Sequence, residues 1–281
     1  CSGVGLHNMF DIFTAAPLAY DTFIRLGPGV PVETRKHIAG DWGCGYRKAA
    51  LPANTLDDGV PSYAFGGGCT FCSRPGSAAM EWDLKEHILG KQLDQVLAAF
   101  PNLDKLIVID EQALSYADRL ARVLVPRPLD GVAVLLSGRL DHLVRYRERL
   151  EAALEILREK CTVSLYQFGL ENLSDSALRR FNKGMTFEEM RGALRLADEL
   201  CVSHANLEVE RSFGFILFDP WTTVEELAEN VVRAREIGLD RYRGRAPFTS
   251  VRLLPEMPMY WRARAEGLLS ENLRASDFGY S

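Results

Sequence analysis

The chain predicts an α/β fold of parallel strands, curled into a partial (β/α)6 TIM-like barrel with an irregular N-terminal extension. Three observations lead there. From residue 62 onward, short apolar runs alternate with helical segments six times. Consecutive β-α units make parallel strands, because a helix must carry the chain back to the same edge. The unusual polar residues all fall just after an apolar run, where parallel α/β folds gather ligands. Right-handed crossovers curl such a sheet towards a barrel. A doubly wound open sheet competes, and periodicity alone does not choose between them.

The elements follow in order. "SYAF" (62–65) is a short strand candidate entering a Gly-Cys loop, and "LKEHILGKQLDQVLAAF" (84–100) has helical apolar spacing despite Gly90. "KLIVID" (105–110) is a continuous apolar run and reads as a buried strand, followed by a helix near 115–124. "VAVLLS" (132–137) is the third strand, and an amphipathic helix spans 141–160. "TVSLYQFGLE" (162–171) is the fourth strand, with helices near 174–181 and 187–200. Thr186 and Glu189 form a capping box at the second of these, each side chain satisfying a free backbone N–H. "FGFILF" carries the fifth strand, Thr222 and Glu225 open the next helix in the same way, "FTSVRLLP" (248–255) is the sixth strand, and a last helix covers about 259–267. Residues 1–61 hold scattered Pro and Gly with little period, and read as an extension packed on a barrel domain at 62–281.

Composition bounds the function. With 281 residues and 47% hydrophobic content, a large core can be buried. The net charge is −5 and no long basic run occurs, so no nucleic-acid partner is expected. No stretch approaches the roughly 18 apolar residues of a membrane helix, so no membrane partner is expected either. Six cysteines in a chain this long are too sparse for a secreted disulfide scaffold, and a reducing, cytoplasmic compartment is expected. Cys161 and Cys201 each open an apolar run and read as small buried hydrophobes. Cys44, Cys69 and Cys72 sit among Gly and polar residues, where burial explains little.

The strand ends collect a distinctive set. "GGGCTFCSRPG" (66–76) places Cys69 and Cys72 at metal-ligand spacing. Asp110 and Glu111 follow the second strand, Arg139 the third, Glu171 and Asn172 the fourth, and Asp219 and Pro220 the fifth. One rim therefore gathers thiolates, carboxylates and an arginine.

Six segments in sequence, "GGGCTFCSR", "LIVIDEQALSYADRLARVL", "LLSGRLDHL", "FGLENLSDSALRRFNKGMT", "FGFILFDPWTTVEELAENV" and "VRLLPEMPMYWRARAEGLL", resemble the barrel domain of radical S-adenosylmethionine (radical SAM) enzymes, in the branch often found beside a cobalamin-binding domain. The resemblance covers about residues 62–270. It implies a 4Fe-4S cluster held by three Cys thiolates, with the fourth iron open to the amino and carboxylate groups of S-adenosylmethionine. It implies reductive cleavage of that cofactor to a 5′-deoxyadenosyl radical, which abstracts hydrogen from a small-molecule or peptide substrate, with flavodoxin or ferredoxin as reductant. By resemblance, Cys69 and Cys72 are cluster ligands and Phe71 lies near the adenine, although plain core packing explains Phe71 equally. Asp110 and Glu111 match the segment that receives the cofactor ammonium, or alternatively cap a helix. Arg139 matches a position for the cofactor carboxylate, or alternatively makes a structural ion pair. Glu171 matches a position near the cofactor ribose. These 281 residues carry no Asp-x-His-x-x-Gly segment, so methyl transfer through cobalamin is not expected of them.

The departure from the resemblance is the third cysteine. The family pattern is Cys-x-x-x-Cys-x-x-Cys, and four positions before Cys69 stands Phe65. Cys44, flanked by Gly43 and Gly45, is the nearest upstream thiol and is expected as the third ligand, giving Cys-x24-Cys-x2-Cys; Cys1 is the second candidate. The intervening loop is expected to shape the pocket, with Tyr46, Arg47 and Lys48 as polar candidates for substrate contact or as plain surface. Two other classes compete. One is a zinc module using Cys44, Cys69, Cys72 and His37; the other is a catalytically inactive barrel acting as an interaction module.

Overall fold

The computed structural model describes residues 35–40, 44–46, 67–72, 80–209, 213–239, 249–255 and 257–269. Its main sheet is built from β1 (Arg35–Ala39), β2 (Lys105–Ile109), β3 (Ala133–Leu136), β4 (Thr162–Leu165) and β6 (Leu207–Val209). The strand order is β1-β2-β3-β4-β6, and every pairing is parallel. A doubly wound sheet reverses its strand order at a switch point. This order never reverses, so the sheet winds one way and forms part of a TIM-like barrel.

Helices α1 (Trp82–Ala99), α2 (Ala117–Leu124), α3 (Leu140–Arg145), α4 (Arg147–Leu157), α5 (Asp175–Arg180), α6 (Phe187–Ser203), α7 (Val224–Glu236) and α8 (Pro258–Ala265) follow the strands. Period-2 alternation divides the sheet residues between two faces. Leu106, Val108, Val134, Leu136, Val163 and Leu165 join one buried cluster with helix residues such as Leu93, Leu120 and Leu154. The alternate residues Ile107, Leu135 and Ser164 pair in a row across the opposite face. A smaller cluster of Phe181, Val251, Leu253, Met259 and Ala263 closes the far side, and Phe71 packs against it.

Several elements differ from the sequence reading. The edge strand β1 lies inside the segment read as irregular; its polar face disguises it. Lys36 is nonetheless buried, with its ammonium 4.0 Å over the Phe100 ring. The strand expected at 62–65 lies outside the described residues. The helix expected over 141–160 breaks at Tyr146, which ends α3 and starts α4 with φ −115° and ψ 25°. The fourth strand breaks after Leu165, because Gln167 takes a left-handed φ of 49° that leaves the pleat. The chain then re-enters as β5 (Gly169–Glu171), which pairs in parallel with β7 (Gly214–Phe215). "FGFILF" therefore supplies only that two-residue strand, and Leu207–Val209 takes the fifth place in the main sheet. Among the described residues, 249–255 adds no strand to either sheet, and Ser250 bridges Phe218.

The capping box at Thr186 and Glu189 is present. The next box is shifted by one residue, to Thr223 and Glu226. Thr222 is already used: its hydroxyl accepts the Asp219 N–H at 2.8 Å, which makes Thr223 the cap.

Candidate functional site

The segment 67–72 is tied to the turn after α5. Thr70 N–H donates to Phe181 O at 2.9 Å, Thr70 Oγ1 donates to Arg180 O at 2.8 Å, and Asn182 Nδ2 donates to Gly68 O at 2.8 Å. On the other side Met259 N–H donates to Thr70 O at 3.0 Å. Cys72 N–H closes a turn on Cys69 O at 3.2 Å. Gly68 enters that turn at φ 124°, a backbone state only glycine adopts without strain. Both thiols are thus carried on a loop whose backbone polar groups are bonded to the barrel. The Phe71 ring meets Phe181 edge-on at 5.3 Å. That contact supplies the packing role which the residue also admitted in the sequence.

Arg139 follows β3 and is almost fully buried at 4% exposure. Its three donor positions go to three places: Nε to Asp141 Oδ1 at 2.9 Å, Nη1 to Cys69 Sγ at 3.5 Å, and Nη2 to Lys183 O at 2.7 Å. Its guanidinium also stacks on the Tyr46 ring, 3.8 Å from the centroid. Tyr46 in turn donates its backbone N–H to Cys44 Sγ at 3.5 Å. One arginine therefore joins the segment bearing Cys44 to the loop bearing Cys69. These contacts give Arg139 the structural ion pair that was its alternative reading, plus a thiol contact that the sequence did not reveal.

Glu171 ends β5 at φ 64°, and Lys183 Nζ donates to its Oε1 at 3.2 Å. The Lys183 side chain is 4% exposed. Gly169 lies beneath this pair: a Cβ there would overlap Glu171 Oε1 and lie 3.0 Å from Lys183 Nζ, so these side-chain ends would have to shift. Lys183 stands in "FNKGMT", a turn with left-handed φ at Asn182 (50°) and Gly184 (72°). The sequence reading gave it no role, and the Asn-Lys-Gly turn was the only signal that could have singled it out.

Asp110 is buried and fully engaged. Its Oδ2 accepts from Lys85 Nζ at 3.1 Å and Tyr116 Oη at 2.5 Å, and its Oδ1 accepts the Gln112 N–H at 2.7 Å. This orients the loop after β2. Glu111 follows at half burial, its carbonyl 3.3 Å from where a Cβ on Gly138 would stand. Gln112 lies over Gly45, with its Cδ 2.9 Å from the Cβ position there. The structure thus brings Cys44, Cys69, Arg139, Glu171 and Lys183 together. It holds the Asp110 carboxylate in a separate buried cluster with Lys85 and Tyr116. Arg47 and Lys48 lie outside the described residues.

Burial pushes the Cys69 thiol up, while Lys183 and then Arg139 pull it down. A metal stabilises the thiolate and reverses the burial effect. Among the described residues no three His, Cys, Asp or Glu side chains gather round a single metal ion. A four-iron cluster takes one thiolate per iron, so its ligands stand further apart than those of one zinc ion. Two thiols that accept N–H donors, one of them from a buried cation, suit cluster thiolates. Cys161 is different: burial raises it to about 11, it donates to Leu129 O, and it lies in the main core.

Singly wound α/β architecture with thiols and ionic groups beyond the strand ends defines the class of fold, a partial TIM-like barrel. No protein-family model matches the chain, and no curated protein does. Solved structures do match. A cobalamin-dependent S-adenosylmethionine radical enzyme, OxsB, with aqua-cobalamin and S-adenosylmethionine bound, superposes with a TM-score of 0.51 at 19% identity, over 83% of this chain and 35% of that one. Its selenomethionine apo form gives 0.53 at 18% identity, over 87% and 38%. The form with aqua-cobalamin alone gives 0.50 at 19% identity, over 82% and 36%. The chain thus has the fold of part of that enzyme and spans little more than a third of its length.

Proposed function

We propose that this chain is a radical S-adenosylmethionine enzyme, with a 4Fe-4S cluster held by Cys44, Cys69 and Cys72. The observation that carries the proposal is the meeting of two thiol-bearing segments at Arg139, whose Nη1 reaches Cys69 Sγ and whose face holds Tyr46, two residues from Cys44. The shared fold with a S-adenosylmethionine radical enzyme supports it. Bound there, the cluster and S-adenosylmethionine would supply a one-electron cleavage that yields a radical able to take hydrogen from a C–H bond.

The chain's own residues bind and orient. Lys183 presents a buried ammonium with three N–H donors and, among the described residues, one hydrogen-bonded carboxylate, Glu171. Burying a cation this way is costly unless more acceptors arrive, and the carboxylate of S-adenosylmethionine supplies them. Glu171 holds Lys183 in place and offers its second oxygen to the cofactor ribose. Glu111 takes the ammonium side, with Asp110 fixing the loop beneath it. Arg139, already bonded on three sides, steers Cys69. Phe71 borders the adenine.

In this reading residues 62–281 form the barrel domain, and 1–61 form an extension that lends it β1 and Cys44. The substrate is a small molecule or peptide, and the reductant a flavodoxin or ferredoxin in the cytoplasm. Among the described residues no helix is long and apolar enough to cross a membrane. The test is anaerobic reconstitution with iron and sulfide. A brown chromophore and 5′-deoxyadenosine formed from S-adenosylmethionine and dithionite are expected. A colourless protein that takes up one zinc ion would overturn the proposal.

A further inference from the structure

The unusual spacing before Cys69 raises a positional problem. Twenty-four residues separate Cys44 from Cys69, so the register of the two thiols depends on contacts between residues distant in sequence. We infer that Tyr46 is the positioning residue that keys Cys44 against the Cys69 loop, by seating its ring between Arg139 and Gly184. The inference rests on the cluster reading above and goes beyond it, because Tyr46 ligates nothing itself.

Four contacts converge on this one residue. Its N–H donates to Cys44 Sγ at 3.5 Å, which links it to one thiol. Its carbonyl oxygen lies 3.3 Å from where a Cβ on Gly68 would stand, directly before the second thiol. Its ring lies under the Arg139 guanidinium at 3.8 Å, and that guanidinium donates to Cys69 Sγ. Its hydroxyl reaches Gly184, where an added Cβ would overlap it and would stand 2.9 Å from Cζ. Both glycines have left-handed φ, 124° at Gly68 and 72° at Gly184. Gly184 gives the close approach that the bulky ring requires, while Gly68 makes the turn beside the Tyr46 carbonyl.

The hydroxyl oxygen is itself buried and, among the described residues, has no hydrogen-bond partner. A buried orphan hydroxyl costs stability, so the seat is not held by that group. Ring stacking on a desolvated cation holds it. The backbone N–H on Cys44 Sγ adds a second consequence, since hydrogen bonds to ligand sulfurs set cluster potential. Seating Tyr46 therefore fixes both where Cys44 stands and how its sulfur is hydrogen-bonded.

The test compares Tyr46→Ala, Tyr46→Phe and Gly184→Ala with Cys44→Ala and Cys69→Ala, all reconstituted anaerobically. Iron per chain and the electron paramagnetic resonance spectrum are the readouts, with thermal melts of the apoproteins as a folding control. Tyr46→Ala should behave like Cys44→Ala, losing iron and showing a three-iron signal, while Tyr46→Phe keeps the wild-type spectrum. Gly184→Ala should resemble Tyr46→Ala, and the double variant should be no worse than either single one, because all three break one contact. A second readout needs no cluster. In the apoprotein, a short bis-maleimide should join Cys44 to Cys69 or Cys72 about tenfold faster in the wild type than in Tyr46→Ala. Wild-type iron, spectrum and cross-linking in Tyr46→Ala, beside iron loss in Cys44→Ala, would overturn the keying role and leave the cluster reading standing. Full iron in Cys44→Ala would instead overturn the ligand assignment on which the inference stands.

Discussion

Replacing Arg180 with Met tests the ion network under the cysteine loop. The Arg180 side chain is 12% exposed and lies between Asp219 (1%) and Glu226 (8%). Nε reaches both Asp219 oxygens at 3.1 Å, Nη2 reaches Asp219 Oδ2 at 2.7 Å, and both terminal nitrogens reach Glu226 at 2.8 Å. Burial opposes the charge on Arg180, but the hydrogen bonds to Glu226 and Asp219 outweigh it and hold the guanidinium firmly protonated. Methionine fills similar volume and leaves two buried carboxylates without a counterion. Breaking such a network costs about 3–5 kcal/mol. For a chain of this size that lowers Tm by about 6–20 °C, at about 2–4 °C per kcal/mol.

The pH dependence carries the sign. The Arg180 hydrogen bond holds the Glu226 carboxyl below its ordinary range. A depressed carboxylate stabilises the fold above its unfolded pKa of about 4.3, and that contribution fades as pH falls through the lower folded value. Wild-type stability from this group therefore falls only below about pH 4. In Arg180→Met the orphaned Glu226 carboxyl shifts upward instead, so acidifying from about pH 7 to pH 5 should raise Tm. Circular dichroism melts of the apoprotein across that range are the assay. Adding Asp219→Asn and Glu226→Gln should recover most of the loss. A Tm for Arg180→Met within about 2 °C of wild type at pH 7, with no change in pH slope, would refute the argument.

Three further outcomes are expected. Under the proposed function, Glu171→Ala should weaken S-adenosylmethionine binding about ten- to a hundredfold while iron content holds, because a charged hydrogen bond is worth about 1.5–3 kcal/mol; isothermal titration of the reconstituted protein reads this. Cys161, raised to about 11, should resist iodoacetamide in the folded apoprotein at pH 8 and react once the chain is unfolded, as peptide mass mapping would show. Thr223→Ala should cost about 1 kcal/mol by removing the α7 cap, measured by urea denaturation; a cost no larger than that of an exposed α7 surface change would return the cap to Thr222.

Parts of the candidate site were legible because their signals are local. The Cys69–Cys72 spacing, the Gly-rich approach and the polar residues after each apolar run are visible without coordinates. Arg139 and Glu171 were named from position, and the structure brings both to the Cys69 side of the rim. Lys183 escaped notice, since a lysine in a polar turn looks like any surface lysine until burial is known. Asp110 was named for a cofactor, yet its oxygens meet Lys85 from α1 and Tyr116 from the turn just before α2. No sequence pattern shows which of two neighbouring carboxylates turns inward.

By itself the sequence determined the α/β class, most helix positions, one capping box and the cysteine pair, all encoded over a few residues by period, propensity and spacing. Only tertiary structure decided what depends on distant partners. Strand order ruled out the doubly wound sheet, because it records which strands hydrogen-bond across the sheet and not how each one reads. Residues 35–39 became a strand because β2 offers them a ladder and Phe100 accepts Lys36, neither of which period can show. The fourth strand split because Gln167 leaves the pleat there, so that β5 can pair with β7 and bring Glu171 to Lys183. Cys44 meets the Cys69 loop through Tyr46, Arg139 and Gly184, residues 46, 139 and 184 in a chain whose local rules reach only a few positions.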